Sequence, residues 1–180
     1  MKMNLPNKLT ILRVLLIPFF VFFLLVPVVP YSNYIAVAIF IIASLTDLAD
    51  GKIARKYNLV TNFGKFMDPL ADKLLVCSAL ICLVATGQLA AWMVIVIISR
   101  EFIISGFRLV ASDNGIVIAA GIWGKLKTVC QMVMIIVLIA DLGGVFEIIG
   151  TVLIWLSLAL TIISLVDYLY TNRQVLSMQD

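Results

Sequence analysis

Apolar and polar positions alternate along this chain over lengths that match a membrane rather than a strand or a surface helix. A bilayer core about 30 Å thick takes roughly 20 apolar residues per helix. Six stretches meet that length: about 9–29, one from Tyr34 into the region of Asp47, about 68–86, 89–111, 122–140 and 146–168. The connections are short, and no internal repeat or low-complexity segment breaks the series. The pattern predicts an all-α polytopic membrane protein, a six-transmembrane-helix bundle forming a single domain over 1–180.

Charge placement orients that bundle. Lys2, Lys8 and Arg13 lie at the N-terminus, and Lys52, Arg55, Lys56, Lys65 and Lys73 lie around the second connection. Arg108, Lys125 and Lys127 flank the fourth connection, and Arg173 is in the tail. The opposite connections, "PVVPYSN", "TGQLA" and "DLGGVFE", hold no Lys or Arg. Positive residues stay cytoplasmic, so both termini are expected in the cytoplasm and the protein in the cell (inner or plasma) membrane. Tyr31, Tyr34 and Trp92 are expected at one interface and Trp123, Tyr168 and Tyr170 at the other, while Trp155 falls mid-span and fits neither belt.

Composition agrees and narrows the chemistry. The chain is 63% hydrophobic and only 13% charged, far from a soluble domain. Its net charge of +3 expresses topology and attraction to anionic lipid, and makes no case for nucleic acid. The first apolar run lacks a small-residue cleavage site and is read as a retained helix. Cys77, Cys82 and Cys130 sit within apolar runs and are read as small buried hydrophobes. With no histidine, acid–base work falls to carboxylate, lysine or tyrosine.

The carboxylates concentrate in "DLADGKIARKYNLVTNFGKFMDPLAD", Asp47 to Asp72. A helix beginning near Tyr34 carries Asp47 about 20 Å along its axis, inside the inner leaflet. Asp47, Asp50 and Ala54 are spaced i, i+3, i+7, and Asp68 and Asp72 i, i+4, so each set shares a helical face. Gly51 leaves the first face open to a close approach. Acids at membrane depth face the interior with a partner, and crowded carboxylates raise one another's pKa unless a cation lies between them. Oxygen-only donors suit a hard divalent ion that also binds substrate phosphates. The plain alternative, solvated acids at helix ends beside lysines, explains one such residue better than four on two shared faces. Pro69 suits the first turn of a helix capped by Asp68, or lies within a helix already begun near Gly64.

The run Asp47-x2-Asp50-Gly51-x2-Ala54-Arg55-x8-Gly64-x3-Asp68-x3-Asp72 resembles, without departure, the signature of the CDP-alcohol phosphotransferases. The resemblance implies a six-helix membrane enzyme in which an alcohol attacks the phosphorus of a CDP-linked substrate and CMP leaves. It implies Asp47, Asp50, Asp68 and Asp72 as ligands of Mg2+ (two ions, with Mn2+ an alternative) and Asp72 also as general base. Asp47, Asp50, Gly51, Ala54, Arg55 and Gly64 would form the nucleotide site. "NLPNKLTILR" and "SREFIISGFRLVASDNGIVIAAGIWGKLKTVCQ" are similar to family members that join CDP-diacylglycerol to sn-glycerol 3-phosphate. Members using cardiolipin-forming, inositol-phosphate or serine acceptors are the alternative within the family, and a cation transporter the alternative outside it.

A phosphorylated acceptor calls for cations beyond the nucleotide site. Arg108 and Lys125 are the candidates, with Arg100 divided between phosphate binding and an ion pair that holds the bundle. Glu101 adjoins Arg100, but side chains at i and i+1 diverge, so each is expected to pair elsewhere. Lys127 points away from Lys125 and is expected at lipid headgroups. Asn7, Thr10 and Arg13 either line the nucleotide site or serve structure, Asn7 as a helix cap and Arg13 as an interfacial cation. A homodimer is left open, since no small-xxx-small face stands out.

Overall fold

The computed structural model describes residues 5–26, 29–56, 62–113, 116, 118–119 and 121–173, with the side chains of 5–6, 47–56, 62–66, 68–69 and 113 outside the description. These residues form six helices: α1 Leu5–Leu25, α2 Ser32–Lys56, α3 Asn62–Ala85, α4 Ala91–Asp113, α5 Ile122–Ala140 and α6 Val145–Thr171. The all-helical expectation holds. α3 starts before the position expected from hydropathy, so Pro69 lies inside the helix rather than in its first turn.

The helices belong to two compact units, residues 1–89 with 138–141, and residues 90–137 with 142–180. In the first, α1 packs along both α2 and α3, and α2 meets α3. The contact stripe reads Ile17, Phe20 and Leu24 on α1, Ala36, Phe40 and Ala43 on α2, and Ala71, Leu75 and Ala79 on α3, all buried. Alanine predominates on α2 and α3 because little water-derived force drives helices together in lipid, and small residues let backbones approach. Phe20 and Phe40 fill the remaining gap with ring centroids 5.8 Å apart. Gly87, at φ +77°, turns the chain out of α3 while the Gln88 and Leu89 amides both donate to the Leu83 carbonyl.

In the second unit α4 packs against α6. Three contacts fix their direction: Trp92 with Trp155, Arg100 with Ser164, and Phe107 with Tyr168. Residue numbers rise together along both helices, so α4 and α6 run parallel. The Trp92 partner also accounts for Trp155, which fitted no interfacial belt. Tyr168, expected as an interfacial anchor, is instead buried beneath Phe107.

The outside of both units is apolar. Leu12, Leu15, Phe19 and Phe22 on α1, and Val152, Trp155, Ile162 and Val166 on α6, are all exposed. Faces of this kind belong in lipid rather than water. Among the described residues, α1 from Asn7, α5 and α6 are long and apolar enough to cross a membrane. Cys82 and Cys130 are buried and Cys77 is half-buried, as their apolar settings imply.

Candidate functional site

α2 continues unbroken through Asp47, Asp50 and Ala54 to Lys56, and α3 runs through Gly64, Asp68 and Asp72. In α2 these positions continue the seven-residue register of the buried Ala36, Phe40 and Ala43. In α3, Asp68 and Asp72 precede the buried Leu75 and Ala79 by seven residues each. The helical spacings expected for the acidic motif are therefore present, and the two helices pack on one another. The side chains of Asp47, Asp50, Gly51, Ala54, Arg55, Gly64 and Asp68 lie outside the described residues; Asp72 is half-buried. Among the described residues no group of three metal-binding side chains occurs. The donor chemistry of the motif, four carboxylates on two packed helices, fits a hard divalent cation.

α1 contributes a polar continuation of the same core. Asn7, Thr10 and Arg13 are buried on the stripe that Ile17, Phe20 and Leu24 extend, and Arg13 is 0% exposed. Asn7 lies within α1 and does not precede it, so it is not the cap that the structural alternative required. The Arg13 guanidinium is thus enclosed beside Asn7 and Thr10, where charge in an apolar setting is costly.

The second unit holds a tied group of ionic side chains. Glu101 Oε1 accepts from Arg100 Nη1 at 2.9 Å and also from Lys127 Nζ. Arg100 Nε donates to Ser164 Oγ at 3.1 Å, and that hydroxyl donates to the Thr161 carbonyl. One carboxylate thus links α4 to α5, and one guanidinium links α4 to α6. The guanidinium passes over Gly124, where a Cβ would lie 3.3 Å from Arg100 Nη2. Arg100 and Lys127 are buried, Lys127 being 2% exposed.

This arrangement revises two sequence expectations, the pairing of Arg100 and the place of Lys127. Arg100 and Glu101 do pair, because the long guanidinium arm bends back to a carboxylate that Lys127 already holds. Lys127 is enclosed rather than free at headgroups. Lys125, the preferred pocket lysine, is exposed in the first turn of α5. The phase of α5 contained the signal: Lys127 shares its stripe with buried Cys130, Gln131 and Met134, and Lys125 does not. Arg108 is exposed and lies over the Tyr168 ring, 5.7 Å from its centroid. Asp167 approaches Gly121, the residue before α5, with Oδ2 3.5 Å from where a Cβ would be, an anion at a helix start where the dipole favours one.

A cavity of about 560 Å³ opens among Val29, Pro30, Ser32, Asn33, Tyr34, Ala140 and Asp141. It lies at the opposite end of α2 from the aspartates and carries a single charged side chain, so it is no match for a diphosphate.

Residues 3–163 match the family model of the CDP-alcohol phosphatidyltransferases. A Bacillus subtilis protein named CDP-diacylglycerol–glycerol-3-phosphate 3-phosphatidyltransferase is 44% identical, the alignment covering 96% of this chain and 97% of that one. A Haemophilus influenzae protein of the same name is 42% identical over 96% and 95% of the two chains. A third, from Rickettsia bellii, is 36% identical over 92% and 93%. With the acidic signature intact on two packed helices and the match spanning nearly the whole sequence, the chain belongs to the CDP-alcohol phosphatidyltransferase family.

Proposed function

We propose that this protein is a CDP-diacylglycerol–glycerol-3-phosphate 3-phosphatidyltransferase. The acceptor's primary hydroxyl oxygen attacks the phosphorus that bears the diacylglycerol. The bond from that phosphorus to CMP breaks, the hydroxyl proton passes to Asp72, and phosphatidylglycerophosphate and CMP result. The observation that carries this reading is full-length similarity, at 36–44% identity, to proteins bearing that enzyme name.

Asp47, Asp50, Asp68 and Asp72 hold the divalent ions, Mg2+ or Mn2+, in this proposal. Bound there, the ions would supply positive charge for the diphosphate oxygens and lower the pKa of the attacking hydroxyl. Gly51, Ala54 and Arg55, with Asp47 and Asp50, receive the cytidine diphosphate, and Gly64 permits close packing. Arg55 supplies a planar fork for the diphosphate. The continuous α2 and α3 support these roles by keeping the motif's spacing in helical register.

Arg108, Lys125 and Arg100 bind the acceptor's phosphate. Two observations support the first two. Arg108 makes a ring contact with Tyr168 and has no carboxylate partner among the described residues. Lys125 is exposed in the first turn of α5, where the helix end adds positive potential. Arg100 is the structurally committed member, already held by Glu101 and Ser164.

The bundle is a single domain that crosses the cell membrane six times, with both termini and the active site cytoplasmic. Helices of 19–27 residues support the count, and the parallel α4 and α6 support the alternation. The acceptor decides the assignment. Purified protein with CDP-diacylglycerol and magnesium is expected to release CMP with sn-glycerol 3-phosphate, and not with serine or inositol 1-phosphate. Release with either of the latter instead would overturn it.

A further inference from the structure

Gln131 is 1% exposed, and among the described residues neither its amide oxygen nor its amide nitrogen has a hydrogen-bond partner. A buried carboxamide left wholly unsatisfied is among the most costly things a helix bundle can contain. Native interiors satisfy such groups, so one that stands empty-handed points to a polar partner bound there. Its place in the fold says what that partner is. Gly124, Lys127 and Gln131 recur at three and four residues on α5; the first lies under Arg100 and the second holds Glu101. Gln131 is the next position of that stripe, about 6 Å along the axis from Lys127.

The amide carries no charge, so it is not built for a phosphate, which the neighbouring cations suit better. It offers one accepting oxygen and two donor hydrogens, the complement of an alcohol that both donates and accepts. We infer that Gln131 reads the secondary hydroxyl of a three-carbon acceptor whose phosphate engages the Arg100 side of the same cluster. This rests on the acceptor assignment made above and adds a specificity residue to it. Only the hydroxyl that does not attack is involved, so Gln131 discriminates among acceptors and takes no part in bond making.

The test compares sn-glycerol 3-phosphate with propane-1,3-diol monophosphate, which keeps the phosphate and the primary hydroxyl but lacks the secondary one. CMP release is followed with purified full-length protein, CDP-diacylglycerol and magnesium. The wild type is expected to prefer glycerol 3-phosphate at least about tenfold in kcat/KM, since a site built to bond a hydroxyl rejects the analogue without it. Gln131→Met is expected to bring the two acceptors within about twofold, with the KM for CDP-diacylglycerol unchanged. Gln131→Asn, which keeps the amide but withdraws it by one carbon, is the second variant and should narrow the ratio too. A variant that retains the wild-type ratio, or a wild type without any preference, overturns the inference alone. A wild type that releases no CMP with glycerol 3-phosphate overturns the acceptor assignment, and the inference falls with it.

Discussion

Glu101 is the residue on which the second unit turns. Its single oxygen accepts from two cations on different helices, and one of those cations reaches on to a third helix. Removing the carboxylate leaves Arg100 and Lys127 close together with their shared anion gone. Breaking an enclosed ion pair by deleting one partner costs about 3–5 kcal/mol. Glu101 keeps 20% of its side-chain surface, and solvent there screens part of the loss. Glu101→Ala is therefore expected to lower stability by about 2–3 kcal/mol, read as an earlier thermal-unfolding midpoint in detergent. Glu101→Gln retains an accepting oxygen and should fall between the two. An unchanged midpoint in Glu101→Ala would mean that the linkage does not hold these helices together.

On the scale of single helices, α4 and α5 each carry a glycine, and the two do different things. Gly106, within α4, has open space where a Cβ would go. Gly124, in α5, lies under a guanidinium that Glu101 and Ser164 hold in place. Alanine favours a helix over glycine by about 0.8–1 kcal/mol. Gly106→Ala should gain most of that, while Gly124→Ala should gain none, because its methyl meets Arg100 at 3.3 Å. Equal stabilisation by both, in the same unfolding assay, would show that Arg100 is free to move aside. The same two helices show what could be read without coordinates. The extent of α5, 122–140, is the one expected from hydropathy. The phase of its lysines was equally available, because Lys127 keeps step with Cys130, Gln131 and Met134. The Arg100–Glu101 pair was not. Adjacent side chains leave a helix in different directions, and only the third partner, Lys127 from another helix, gives them a common point. The place of Pro69 was left open by the sequence, because proline suits a first turn and is also tolerated inside a helix in an apolar setting; α3 takes the second course, already helical at Gly64. The acidic motif was recognisable from spacing because aspartates at i, i+3 and i, i+4 need only a helix to share a face.

For the whole molecule, the claim most exposed to test is sidedness. Parallel α4 and α6 are what six crossings predict, with the chain returning through α5 between them. The connection from α5 to α6, residues 141–144, then lies on the face opposite the one from α4 to α5. The first holds no lysine or arginine, whereas Arg108, Lys125 and Lys127 flank the second, so the distribution of positive charge predicts that the latter is cytoplasmic. Six crossings would then return the tail to the same side as the N-terminus. A chain lacking its three native thiols, Cys77, Cys82 and Cys130, allows this to be read one position at a time. Leu142→Cys is expected to react with a membrane-impermeant maleimide in intact cells. Lys2→Cys and Asn172→Cys should react only after the membrane is opened. Leu142 is exposed in the structure, so failure to label it from outside would reflect its side of the membrane rather than its burial, and would reverse the topology. Labelling of Asn172→Cys but not Lys2→Cys in intact cells would leave an odd number of crossings and remove one helix from the membrane.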